Sequence, residues 1–364
     1  MRPNSPEPSA GTTLAADRRA GQPDAEEDPA VWLSLARDVF GPRVSGVTVQ
    51  TLKHTAGAAT VYRLGLSGVD TGSGPLRLIA KRTAGDRADG DHGPMREALF
   101  LRHLIGQVGI PQPRVYFAGP FGGGARWLTL VEDVSEAYRF RAADHPWTLA
   151  ELRPILTSYA ALHALGNAAL AGLGAREWLF PPYRERVVGL AGELPAMVEA
   201  LADAGIWQPL PGVGRLVERT VRLLETTAWP ETLLHNDVTP ANAGLPRDGR
   251  GPALLVDWEM VGTGPAELDL AYMFMQPFDN TRAVARQAAL AWYWEQRRLL
   301  SGDSPPATGR AQAQQLADAV LALWLIPVAQ QRLLTPFPPG SAPRRYWDAM
   351  SWVLERRLRE LCPA

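Results

Sequence analysis

The chain has 364 residues, and its 37 Lys and Arg nearly balance 38 Asp and Glu, for a formal net charge of −1. That balance raises no global field to gather nucleic acid or an anionic membrane. The only cysteine, Cys362, excludes a disulfide within the chain and fits a reducing compartment, so a cytoplasmic location is expected. The sequence shows no apolar run near the roughly 20 residues that span a bilayer. Its length and 46% apolar content imply two lobes with a sizeable core, at about 150 residues per domain.

Residues 1–27 are rich in Pro, Gly, Ala and charge, and read as a disordered tail. Asp28-Pro29 then supplies an N-cap and a first helical position, and Gly41 a stop. From Val44 to Thr83 the pattern is β-rich. One strand holds Val47, Val49 and Leu52, a second runs Val61–Leu64, and a third runs Leu76–Lys81, with Gly and Ser at 68–74 marking a hairpin. The turn from His54 to Thr60 carries small residues around Gly57. Small side chains let a phosphate approach the backbone, and Thr55 and Thr60 can donate hydroxyls; a plain hairpin turn is the other reading.

A helix is expected from Pro94 to Ile105, with Glu97, Leu101 and Leu104 on one face. Strands follow at Arg114–Ala118 and Trp127–Val131. After Asp144 the pattern turns helical, with helices near 148–165, 183–204, 211–226, 266–275, 281–300, 310–328 and 343–361. No repeat of fixed period is visible.

Within the helical part, Leu234-His235-Asn236-Asp237-Val238-Thr239-Pro240-Ala241-Asn242 reads H-x-D-x-x-x-x-N, and Asp257 ends the apolar run Leu255-Val256 further on. Phosphoryl transfer needs such a set: one carboxylate to orient and deprotonate a hydroxyl, and a carboxamide and second carboxylate to hold Mg²⁺ on the nucleotide phosphates.

With Gly264-Pro265-Ala266-Glu267-Leu268-Asp269-Leu270-Ala271 behind it, this pattern resembles the aminoglycoside phosphotransferase-type, or small-molecule kinase, family. The resemblance covers residues 44 to 360, more loosely in the first part. It implies an α+β, bilobal, protein-kinase-like fold, with a β-rich nucleotide-binding N-lobe over 28–133 and a helical C-lobe over 134–364 that carries the catalytic loop and acceptor site. It further implies ATP and Mg²⁺, with Asp237 as catalytic base and Asn242 and Asp257 as metal ligands. Lys81 would meet the α- and β-phosphates, aimed by Glu97, and Thr55, Gly57 and Thr60 would cover the phosphates. Adenine would bind backbone groups from Glu132 to Val134. ATP is the family default, and nothing in the sequence excludes GTP.

The same resemblance makes His235 a support beneath the catalytic loop rather than a base, and Asp269 an acceptor for that loop's N–H groups. Asn236, and Trp258-Glu259 after Asp257, depart from protein-kinase patterns. Glu259 reads either as a further metal carboxylate or as a salt-bridge partner. His163 reads as a core histidine before a metal ligand. Trp292, Trp294 and Trp324 read as core, with an acceptor-lining role as the alternative.

The expected partner is a small-molecule hydroxyl acceptor (antibiotic, sugar, nucleoside or amino alcohol), with neither nucleic acid nor membrane. The mixed charges of the late helices single out no cationic substrate. The sequence leaves open oligomeric state, and antibiotic resistance against a metabolic role. A catalytically inactive nucleotide-binding scaffold, and a protein kinase, are the rival readings.

Overall fold

The computed structural model describes residues 29–54, 59–69, 74–83, 93–121, 126–142, 145, 147–174, 176–227, 229–276, 283–302, 307–334 and 341–362. Thr55 and Gly57 lie outside the described residues. The described residues form two compact units, one made of those up to Val49 with those from Gly65 to Leu76, the other of those from Gln50 to Leu64 with those from Arg77 onward.

In the first unit, helix α1 (Pro29–Phe40) buries Trp32, Leu35 and Ala36. It stops at Gly41, whose φ of 92° is left-handed, a conformation glycine adopts without strain, and whose N–H bonds Arg37 O at 2.8 Å.

The next elements are β1 (Gly46–His54), β2 (Ala59–Ser67), β3 (Leu76–Thr83), α2 (Gly93–His103), β4 (Val115–Phe121) and β5 (Arg126–Glu132). The five strands form one sheet in the order β1-β2-β3-β5-β4. Alternation at period two divides its faces. Tyr62, Leu64, Leu78, Ala80, Leu128 and Leu130 are buried, whereas Val61, Arg63, Ile79, Lys81, Thr129 and Val131 line a cavity. Lys81 stands opposite Thr129 in the antiparallel β3–β5 pair.

The rest is mostly helical: β6 (Tyr138–Arg139), α3 (Leu149–Ala171), α4 (Tyr183–Leu190), α5 (Leu194–Asp203), α6 (Val213–Thr226), β7 (Thr232–Leu234), β8 (Ala243–Pro246), β9 (Leu254–Leu255), β10 (Gly262–Gly264), α7 (Glu267–Phe274), α8 (Ala283–Ser301), α9 (Ala307–Leu334) and α10 (Ala342–Leu361). A β-rich N-terminal region followed by a helical one is the α+β arrangement expected.

Two helices differ from the sequence reading. Helix α3 starts at a capping box between Thr148 and Glu151 and runs on to Ala171, through Gly166. That glycine serves close packing rather than termination, because a Cβ there would lie 2.7 Å from Leu233 Cβ. The single helix expected over 183–204 is broken at 191–193, where Pro195 in the first turn of α5 has no N–H to continue the earlier ladder.

Helix α9 is long and apolar enough to cross a membrane by length and composition, a stretch the sequence reading passed over. Yet 72% of its most apolar window is buried inside the protein, as in a core helix. Trp324 of α9 sits edge-on to Tyr183 with ring centroids 4.9 Å apart, and Trp294 of α8 is similarly placed against Tyr293. Both belong to the core, whereas Trp292 is half-buried and donates to Thr157 Oγ1 at 3.2 Å. Trp324→Ala should therefore lower stability by about 3–5 kcal/mol in urea titration; a loss below about 1 kcal/mol would remove Trp324 from the core.

Candidate active site

Strands β7 and β10 pair antiparallel, with Leu234 opposite Gly262, and so fix both ends of the segment that holds the H-x-D motif. Among the described residues, Asn236 and Asp257 alone combine a side chain with positive φ, at 63° and 68°. Such backbone costs about 1–2 kcal/mol per residue, so it persists only where neighbours hold it.

The holder of Asn236 is Asp269, buried at the start of α7. Its Oδ1 accepts the N–H of Asn236 at 2.8 Å, and its Oδ2 accepts the N–H of His235 at 2.9 Å. The Asn236 side chain donates to Met260 O at 2.9 Å. Gly262 leaves room for it, since a Cβ there would lie 2.8 Å from Asn236 Nδ2.

His163 lies 3.0 Å from Asp269 Oδ2 through Nε2 and 2.8 Å from the Tyr293 hydroxyl through Nδ1. Burial pushes its pKa below the ordinary value, so the ring is neutral, with Nε2–H donating and Nδ1 accepting. It is a satisfied core histidine that braces the loop through Asp269. His235 is also buried and driven towards the neutral form. Its Nε2 donates to Val256 O at 2.9 Å and its Nδ1 accepts the Asp237 N–H at 3.3 Å. With both nitrogens committed, His235 has no lone pair to offer a substrate.

Asp237 accepts from Asn242 Nδ2 at 2.8 Å through Oδ2, and its Oδ1 faces the Tyr272 hydroxyl at 3.5 Å. Burial first, then the charge of Asp257, push its pKa up to about 7. A carboxylate tuned towards neutrality is a better proton acceptor than an ordinary one.

Lys81 projects from β3 into three carboxylates: Asp257 Oδ1 at 2.6 Å, Glu97 Oε2 at 2.8 Å and Glu259 Oε1 at 2.9 Å. Burial opposes its charge, but the three acids outweigh that and hold its pKa well above the ordinary lysine value. Burial pushes Glu97 up to about 7, with Lys81 partly opposing. The sequence reading gave Lys81 only Glu97 as partner; Asp257 and Glu259 reach it because the left-handed turn at Asp257 brings both acids to the cluster.

Oxygens of Glu97, Asp257 and Glu259 lie within 4.8 Å of one another. One ammonium among three acids leaves negative charge on hard oxygen donors, which suits Mg²⁺. Asn242 commits its N–H₂ to Asp237 side-chain and backbone oxygens, so its Oδ1 is the atom left for a metal.

Lys81, Glu97, Asn242 and Asp257 all line one cavity of about 520 Å³, together with Glu132 and Val134 at the end of β5. Thr60 does not line it: alternation along β2 turns its side chain into the buried face with Tyr62, away from Val61. The sequence reading missed Tyr272. It lies three residues, about one helical turn, after Asp269, and it is the fold that brings its hydroxyl beside Asp237.

A lysine–carboxylate cluster on a cavity of this size, beside a buried carboxylate, is an arrangement that a phosphotransferase of small molecules requires. Residues 55–300 match the phosphotransferase enzyme family (APH), and the chain belongs to that family. No curated protein sequence matches it. Several solved structures share its fold. An amicoumacin kinase bound to AMP-PNP and Ca²⁺ is 12% identical, with a TM-score of 0.58, over 91% of this chain and 94% of that one. An aminoglycoside 2′-phosphotransferase mutant with GDP is 13% identical, with a TM-score of 0.58, over 92% and 97%. The choline kinase of Streptococcus pneumoniae is 13% identical, with a TM-score of 0.51, over 91% and 98%. The bilobal kinase-like fold expected from the sequence is thus the observed one.

Proposed function

We propose that the protein is a cytoplasmic, ATP- and Mg²⁺-dependent kinase that phosphorylates a hydroxyl of a small molecule, with residues 28–133 as nucleotide lobe and 134–364 as catalytic and acceptor lobe. The observation that carries this reading is the convergence of Lys81, Glu97, Asn242 and Asp257 on one cavity, beside a base, Asp237, whose pKa lies near neutrality. Nucleotides in similarly folded kinases, AMP-PNP and GDP, support a purine triphosphate as donor. Antibiotic inactivation is one role consistent with such relatives.

Lys81 would orient the α- and β-phosphates, itself held by Glu97 and Glu259 when Asp257 turns to the metal. Asn242 and Asp257 would hold Mg²⁺, which supplies neutralisation of phosphate charge. Asp237 accepts the acceptor's proton as its oxygen bonds to the γ-phosphorus. The bond from that phosphorus to the β,γ-bridging oxygen breaks, and its electron pair leaves with the nucleoside diphosphate. Positioning and charge neutralisation contribute most of the rate.

Asp257→Ala is expected to weaken Mg²⁺-dependent ATP binding far more than Asp237→Asn does, because only Asp257 lies on the nucleotide cavity. Calorimetric titration of Mg·ATP into both variants checks this; equal affinities would put the metal elsewhere. The same titration with GTP tests nucleotide preference.

A further inference from the structure

The described contacts of Asp237 leave one oxygen lightly held. Asn242 fixes Oδ2 at 2.8 Å, whereas the Tyr272 hydroxyl lies 3.5 Å from Oδ1. A full O–H···O bond is about 2.7 Å long, so the phenol marks this oxygen without filling it. Tyr272 belongs to the same short helix, α7, as Asp269, whose carboxylate holds the consecutive amides of His235 and Asn236. Its hydroxyl is therefore set relative to Asp237 by the element that sets the loop.

The far end of this helix is tied down as well. Gln276, buried, donates to Tyr272 O at 3.3 Å, and its Oε1 accepts from the Tyr346 hydroxyl of α10 at 3.4 Å. Burial, and then the charge of Asp237, keep the Tyr272 phenol protonated. This fixed, neutral hydroxyl beside the lightly held oxygen of Asp237 does not line the cavity that holds Lys81 and Asp257.

We propose that Tyr272 is a catalytic residue that contacts the acceptor next to its reacting hydroxyl. This rests on the kinase reading above. An acceptor hydroxyl donating to Oδ1 at about 2.7 Å would share that oxygen with Tyr272, so, with the two donors roughly 90–120° apart around it, the hydroxyls would lie about 4.4–5.4 Å from each other, close enough for one group between them to reach both. That distance suits a hydrogen bond from the phenol to a polar group on the carbon beside the reacting one. Tyr272 thus selects alcohols that carry an oxygen or nitrogen at the adjacent carbon over simple alcohols. Its hydroxyl can donate to or accept from that group, which a phenylalanine ring cannot.

The test starts from wild-type protein with Mg·ATP and a library of diols, amino alcohols, sugars and nucleosides, read by mass gain of one phosphate. The best acceptor and its analogue lacking the neighbouring polar group are then compared on wild type and Tyr272→Phe, with melting temperature and Mg·ATP affinity measured alongside. The expected result is that either change alone lowers kcat/KM by roughly ten- to a hundredfold, and that both together lower it no further. Mg·ATP affinity should hold, which general damage to the fold would not allow. A folded Tyr272→Phe protein within twofold of wild type, or losses that multiply, overturns the inference alone. Intact Mg·ATP binding with no phosphorylated compound overturns the kinase reading and the inference together.

Discussion

Asp237→Asn should lower kcat by about 10²–10⁴-fold and leave ATP affinity nearly unchanged. An amide keeps the shape and the contact to Asn242 but cannot take the acceptor's proton. A variant that keeps more than about a tenth of wild-type kcat would remove Asp237 from the base role. The same substitution should raise stability, in a pH-dependent way. The Asp237 carboxyl goes from its ordinary 3.8 up to about 7 in the fold, through burial and the neighbouring Asp257. A raised folded-state pKa contributes stability that is whole below the unfolded value and is lost as pH rises through the folded one. Above pH 7 the wild type must bury a charge that Asn lacks. The melting temperature of Asp237→Asn should therefore exceed that of wild type, by a margin that widens from pH 5 to pH 8. A constant or reversed margin would mean that Asp237 is not strained in the fold.

Lys81→Met should be the most destabilising change at the nucleotide cavity. It leaves Glu97, Asp257 and Glu259 within 4.8 Å of one another without their shared cation. Removing one partner from a buried ion pair costs about 3–5 kcal/mol. Glu97, already raised to about 7, rises further without the ammonium, so its protonated form relieves the cluster in acid. The loss in urea titration should accordingly be large at pH 8 and much smaller at pH 5, and Lys81→Met with Glu97→Gln should recover part of it. A pH-independent loss, or one below about 1 kcal/mol, would mean that the three acids do not depend on Lys81.

The parts of this site that lie close together in sequence were legible there. His235, Asp237 and Asn242 were read as one loop and lie close together there, and Lys81 of β3 and Glu97 of α2, read as partners, do form an ion pair. Most helices were readable from their apolar period. What failed depended on contacts distant in sequence. The helix expected near 148–165 runs on through Gly166 to Ala171, because that glycine packs against Leu233. The strand before Asp257 proved to be only Leu254–Leu255, and the left-handed turn that brings Glu259 to Lys81 leaves no periodic signal. Thr60 was read as the last residue of the turn, whereas it lies inside β2 with its side chain on the buried face. Tyr272 was invisible as a site residue because an aromatic on an apolar helix usually signals core, and only the fold shows its hydroxyl beside Asp237.

The measurement that bears most directly on the central claim, phosphoryl transfer by Asp237 to a small-molecule hydroxyl, is a mass-spectrometric screen with Mg·ATP against antibiotics, sugars, nucleosides and amino alcohols, run in parallel on wild type and Asp237→Asn. The expected result is a gain of one phosphate on at least one compound with wild type, and none on that compound with Asp237→Asn. Mg·ATP binding with no phosphorylated compound, or phosphate appearing on protein hydroxyls instead, would contradict it.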